Sequence, residues 1–65
     1  MMKLIKTFEN SERLVRLFFD ETKKEYTVSL LAHNNKYAGA IYKSLFWAER
    51  KFNDYKNNPL ETIKS

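Results

Sequence analysis

Apolar and polar residues alternate through the first half of the chain, and the period changes after residue 35. Residues 2–8, MKLIKTF, alternate in part and read as a short first strand. ENSE, residues 9–12, is turn chemistry, because the Asn10 and Ser11 side chains can bond nearby backbone. RLVRLFFD follows, with Val15, Leu17 and Phe19 on one face of a strand and Leu14, Arg16 and Phe18 on the other. After the polar stretch DETKKE, YTVSLLA places Tyr26, Val28 and Leu30 together and Thr27 and Ser29 opposite. Two apolar runs around a polar turn predict a hairpin. A helix over residues 11–24 competes with the strand. It gathers Leu14, Val15, Leu17, Phe18 and Phe19 on one side, with Ser11 as its cap. β-branched Val15 and the paired phenylalanines favour the strand.

From Lys36 to about Lys56 the spacing becomes helical. Ala38, Ile41, Leu45, Ala48, Phe52 and Tyr55 recur at steps of three and four and form one stripe. Asn34 or Asn35 is the expected N-cap. Asn57, Asn58 and Pro59 end the helix, since proline disfavours helical backbone in the residue before it. The pattern predicts an α+β fold, a three-stranded antiparallel meander packed on one long C-terminal helix in the order β-β-β-α. The alternative order is β-α-β-α. Residues 1–58 form a single domain in this reading and 59–65 a C-terminal tail, whose Leu60 and Ile63 have the option of folding back. Val15, Leu17, Tyr26, Val28 and Leu30 make the core with the helix stripe. Ala38 and Ala48 are small enough to let helix and sheet approach closely.

Sixty-five residues hold one domain, and a chain of this size buries only about 60% of its unfolded surface. Small domains often add disulfides or a metal. Cys is absent and His33 is the single histidine, which leaves dense aromatic packing or self-association. The N-terminal residues lack the apolar run of a signal peptide, and no stretch approaches the roughly 20 apolar residues of a membrane span. A soluble, cytoplasmic protein is the expectation. The net charge of +4 fits a lysine-rich solvated surface. It also favours an acidic partner, protein or nucleic acid, although no block of Lys and Arg marks a nucleic-acid tail.

No residues converge on a catalytic reading. His33 has no positioned acid or nucleophile in sequence, and the carboxylate pairs Glu9/Glu12 and Asp20/Glu21 sit in turns. There is no glycine-rich phosphate loop. No enzyme activity, cofactor or metal is expected. The informative residue is Trp47. At about 100° per residue it points roughly 130° away from the middle of the stripe, among Lys43, Ser44, Arg50 and Lys51. Trp and Arg are enriched at binding hot spots, so Lys43, Trp47, Arg50 and Lys51 form the first candidate contact set. Gly39 and Ala40 leave a shallow place nearby on the same helix. The bland alternatives are a local stack of Trp47 on its cationic neighbours, or a cover supplied by Leu60 or Ile63. Phe46 and Tyr42 are expected to pack at the sheet edge. Leu14, Arg16 and Phe18 are the second candidate surface, since an open sheet face with apolar groups invites a partner or a homodimer.

The run YTVSLLAHNNKYAGAIYKSLFWAERKF, Tyr26 to Phe52, resembles small phage-encoded host-takeover proteins such as RNA polymerase inhibitors and toxin-blocking antitoxins. The resemblance lies in its order of strand, polar break and Ala- and aromatic-rich helix. It implies a non-enzymatic phage or mobile-element factor that inhibits a host protein by occlusion. The basic charge sets this chain apart from the acidic inhibitors that mimic nucleic acid. A basic nucleic-acid-binding accessory protein is the alternative, and an obligate homodimer is the third reading.

Overall fold

In the computed structural model, which describes residues 1–63, the order is β1 (Met2–Glu9), β2 (Arg13–Asp20), β3 (Glu25–Ala32), β4 (Tyr37–Tyr42), α1 (Leu45–Asn57) and a short 3₁₀ turn (Leu60–Thr62). The fold is α+β. Four antiparallel strands form one open sheet in sequential order, and α1 lies across one face. The expected meander therefore has four strands, not three. The expected long helix starts at Leu45, not Lys36. Residues 11–24 hold strand β2 and its turns, so the β-α-β-α order does not occur.

Residues 37–42 satisfy both periods. Ala38 and Ile41 stand at helical spacing from Leu45, yet a strand over the same residues sets Tyr37, Gly39 and Ile41 on one face and Ala38, Ala40 and Tyr42 on the other. A glycine inside a helix costs about 1 kcal/mol. A neighbour for β3 also satisfies a row of backbone groups that would otherwise lie open at an edge. The strand wins, and Ala38 pairs with Leu30 on the inner face while Ile41 is 62% exposed on the other. Ser44 takes the N-cap position through its extended backbone, its carbonyl accepting from the Ala48 N–H at 3.1 Å.

Side-chain chemistry sets the turns. Asn10 Oδ1 accepts from the backbone N–H of Glu12 (2.8 Å) and Arg13 (2.9 Å), closing β1 onto β2. Asp20 Oδ1 does the same for Thr22 and Lys23 between β2 and β3. That turn leaves Lys24 at φ +58°, and the β3–β4 turn leaves Asn35 at φ +68°. Asn tolerates the left-handed region better than Lys does. In β1, Ile5 is an extra residue between Leu4 and Lys6, which pair with Phe18 and Leu17. The bulge lets residues on either side of it keep their facing.

The core lies between the inner sheet face and α1. Val15, Leu17, Val28 and Leu30 are fully buried there with Ala48, and Phe52, Tyr55 and Ala38 close the layer. Ala48 has no side chain beyond Cβ, so the helix sits close to β2 and β3 at that point. Ile63 is buried in the same cluster and Leu60 packs on it. The C-terminal end of α1 is held by Arg13, only 5% exposed at the start of β2. Its guanidinium donates to the carbonyls of Tyr55 (2.7 Å) and Asn58 (2.6 Å), which the helix leaves without intrahelical partners. Glu12 balances its charge through Nε at 2.9 Å and a second contact through Nη2.

Candidate interaction surface

The first turn of α1 is the most unusual surface of the molecule. Helix starts favour acidic residues, which complement the positive end of the helix dipole. This one has none, and instead presents Leu45, Phe46 and Trp47 at 40%, 60% and 53% exposure. Facing follows from helix geometry. Ala48, Phe52 and Tyr55 define the buried stripe, and a rotation of about 100° per residue turns Trp47 to one flank and Phe46 to the outside.

Trp47 and Phe46 meet edge to face, with ring centroids 5.1 Å apart and planes at 85°. Arg50, one turn later, spans both, its guanidinium carbon 5.5 Å from the Trp47 ring centre and 6.0 Å from that of Phe46. Such contacts are worth about 0.5–1 kcal/mol when exposed, enough to restrain the rings without covering them. On the flank toward β1, Lys6 pairs with Glu49 at 3.0 Å and Lys56 lies over Phe8. Trp47 is two residues, about 200°, from Glu49, so it stands on the other flank.

Of the expected contact set, Trp47 and Arg50 are together. Lys43 lies in the link between β4 and α1, where its ammonium pairs with Glu25 at 3.2 Å and donates to the Lys23 carbonyl at 3.4 Å. Lys51 has its ammonium 5.5 Å from the centre of the Tyr55 ring. Gly39 and Ala40 are strand residues on opposite sheet faces, so they do not form the shallow place expected on the helix. Phe46 was expected at the sheet edge and is instead the partner of Trp47. The rotation that turns Trp47 outward also turns Phe46, two residues before Ala48, about 160° from it. Tyr42 does pack against the core. Leu60 and Ile63 also pack there and leave Trp47 half exposed.

The second expected surface is the outer sheet face. Arg16 is exposed there between the half-buried Leu14 and Phe18. Cross-strand register brings in Leu4, Ile41, Leu31 and Tyr37. A hollow of about 230 Å³ opens on this face beside Leu14, Arg16, Ser29, Leu31 and Tyr37.

A further hollow, about 400 Å³, lies where Glu12, Arg13 and Lys36 meet Leu60. Its cations are committed: Arg13 to α1, and Lys36 to the Leu60 carbonyl. It is a seam that ties Leu60 to the turn before β4. Among the described residues, no group of three or more His, Cys, Asp or Glu stands close enough to hold a metal ion, and no helix is long and apolar enough to cross a membrane. Every buried side-chain nitrogen and oxygen among them has a hydrogen-bond partner. No family profile, no curated protein and no solved structure matches the chain.

Proposed function

We propose that this is a non-enzymatic binding protein that acts by occluding a partner protein, with the first turn of α1 as its contact surface. The exposed Phe46–Trp47 pair restrained by Arg50 carries the reading. Restrained aromatics lose little conformational freedom on binding, which is why Trp and Arg dominate hot spots. The fitting partner surface is an apolar pocket for the two rings, bordered by carboxylates for Arg50. The resemblance to phage host-takeover factors points to a host protein in the cytoplasm as the holder of that pocket. Of the residues first singled out, Trp47 is the anchor and Arg50 its flank. Lys43 and Lys51 form the rim, where charge acts on encounter rate more than on affinity.

A nucleic-acid accessory role is the alternative, supported by the net charge of +4 and by rings that bases can stack on. Only Arg50 joins the aromatics, while Lys43 and Lys51 contact Glu25 and Tyr55, which favours the protein reading. Immobilised wild-type, Trp47→Ala and Phe46→Ala proteins distinguish the readings when exposed to host extract at low and high salt. The expected result is a protein retained by wild type at both salts and lost with either variant, about 30-fold weaker for Trp47→Ala. An identical captured set for all three baits rejects the helix surface. Capture of nucleic acid that vanishes steeply with salt selects the alternative.

A further inference from the structure

We infer that the outer sheet face is a self-association surface, and that its partner is a second copy of this chain packed face to face. The inference stands independently of the helix surface. It begins with three cross-strand rows read from the register. They are Glu9–Leu14–Leu31–Tyr37, Thr7–Arg16–Ser29–Gly39 and Leu4–Phe18–Thr27–Ile41. Two rows are mainly apolar ridges. The middle one is a valley of small residues from which a single long side chain, Arg16, rises.

Stacked sheets pack about 10 Å apart with strands within about 30° of each other. A two-fold axis along the strands, midway between β2 and β3, lays β2 of one copy over β3 of the other and β1 over β4. Each row then lies on its own counterpart. Leu14 meets Leu31, Leu4 meets Ile41, and Phe18 meets Thr27. Arg16 lies over Ser29, with Gly39 beside it, so its bulk faces the smallest residues on the surface. An axis across the strands instead sets Arg16 on Arg16, which like charge forbids. The face is therefore self-complementary about one axis, the defining property of an isologous interface.

Charge and area point the same way. Along the full strands the face holds three acids, Glu9, Asp20 and Glu25, against Arg16 and the Lys43 that pairs with Glu25. The Asp20–Glu25 row lies at its end, so the face is close to neutral in a protein of net charge +4. That neutrality fits a second copy and disfavours an acidic partner on this face. Four strands of up to about eight residues, spaced about 4.8 Å apart, present roughly 500 Å² per copy. The total of roughly 1,000 Å² is the lower bound for a specific interface, which sets the expectation at a dimer in the micromolar range. In such a dimer the two helices lie outside, so both Phe46–Trp47–Arg50 clusters remain free and the assembly is bivalent.

Sedimentation equilibrium over a dilution series from about 1 mM to about 1 µM tests this, alongside backbone amide shifts over the same range. The expected mass falls from twice 7.8 kDa to 7.8 kDa. The amides that shift belong to the middle of β2 and β3 and to Ile41, and those of Phe46, Trp47 and Arg50 stay still. Ile41→Lys changes a residue that is 62% exposed and so spares the fold, and Leu31→Lys probes the Leu14–Leu31 ridge at the other end of the face. Both are expected to weaken the dimer at least tenfold, with the wild-type circular dichroism retained. A single mass of 7.8 kDa at about 1 mM overturns the inference. So does a dimer unaffected by Ile41→Lys, or one whose shifts fall on α1.

Discussion

Arg13 shows how much one side chain holds in a chain this small. It is the one buried charge of the described core, and it joins the start of β2 to the last turn of α1. Replacing it with Met keeps the stem but leaves two carbonyls without their donor and Glu12 without its partner. Unsatisfied buried groups cost about 1–3 kcal/mol each and a broken buried pair about 3–5 kcal/mol. Because Glu12 can turn to water, a loss of about 3 kcal/mol is expected in urea unfolding; a loss below about 0.5 kcal/mol would show that the cap contributes nothing. Lys24 is the opposite case. Its φ of +58° strains a side-chain-bearing residue, so Lys24→Gly is expected to stabilise by about 0.5–1 kcal/mol, and a destabilised variant would contradict the turn geometry.

Two titrating residues give a pH dependence with definite signs. The backbone N–H of Lys23 holds the Asp20 carboxyl below its usual value of 3.8, with desolvation working against it and the Thr22 N–H reinforcing it. That contribution is present above pH 3.8 and is lost as pH falls through the lower folded value. Burial raises the Tyr55 hydroxyl above 10.0, with nearby Tyr42 adding to it. The folded state then keeps a proton that the unfolded chain gives up, so stability holds below pH 10.0 and falls as pH rises beyond it. Urea midpoints measured across pH 2–12 for wild type, Asp20→Asn and Tyr55→Phe check both signs. Asp20→Asn should flatten the acid limb and Tyr55→Phe the alkaline limb, and unchanged limbs would remove these residues from the account.

At the scale of elements, β2 and β3 were legible because their buried positions carry branched or aromatic side chains at strict alternation. Val15, Leu17, Val28 and Leu30 came from that pattern and are all fully buried. β4 was not legible. Ala38, Gly39 and Ala40 are too small to signal a facing, and Ala38, Ile41 and Leu45 happen to obey the helical step as well. What decides between the two is the open edge of β3, a tertiary demand that no local window contains. The C-terminal half of the helix stripe, Ala48, Phe52 and Tyr55, was read correctly because nothing competes for those residues. The outward facing of Trp47 follows from helical spacing alone, and the same rotation carries Phe46 outward, against the sheet-edge packing expected of it. Arg13 as a cap was invisible, since it lies 42 residues from the Tyr55 carbonyl it binds. Amide hydrogen exchange tests the strand assignment directly. An edge strand should protect alternate amides over residues 37–42, whereas continuous protection through that stretch would restore the longer helix.

At the scale of the whole molecule, the sheet separates two surfaces, and the single Trp reports on only one of them. Trp47 is 53% exposed on the helix side, and the self-complementary rows lie on the other face. Its emission should therefore be red-shifted and readily quenched by iodide or acrylamide in dilute protein. It should stay so at concentrations where the sedimenting mass doubles. Trp47→Ala should leave the unfolding free energy within about 0.5 kcal/mol of wild type, as exposed substitutions do, whereas a buried Trp costs about 3–5 kcal/mol. Each alternative has its own signature. Protection of the ring at every concentration, with a large loss for Trp47→Ala, would mean that the helix turns this residue inward. Protection that grows with concentration would move self-association from the sheet to α1. An exposed Trp at all concentrations, together with a mass that changes, is the combination that assigns self-association to the sheet face and leaves the first turn of α1 uncovered.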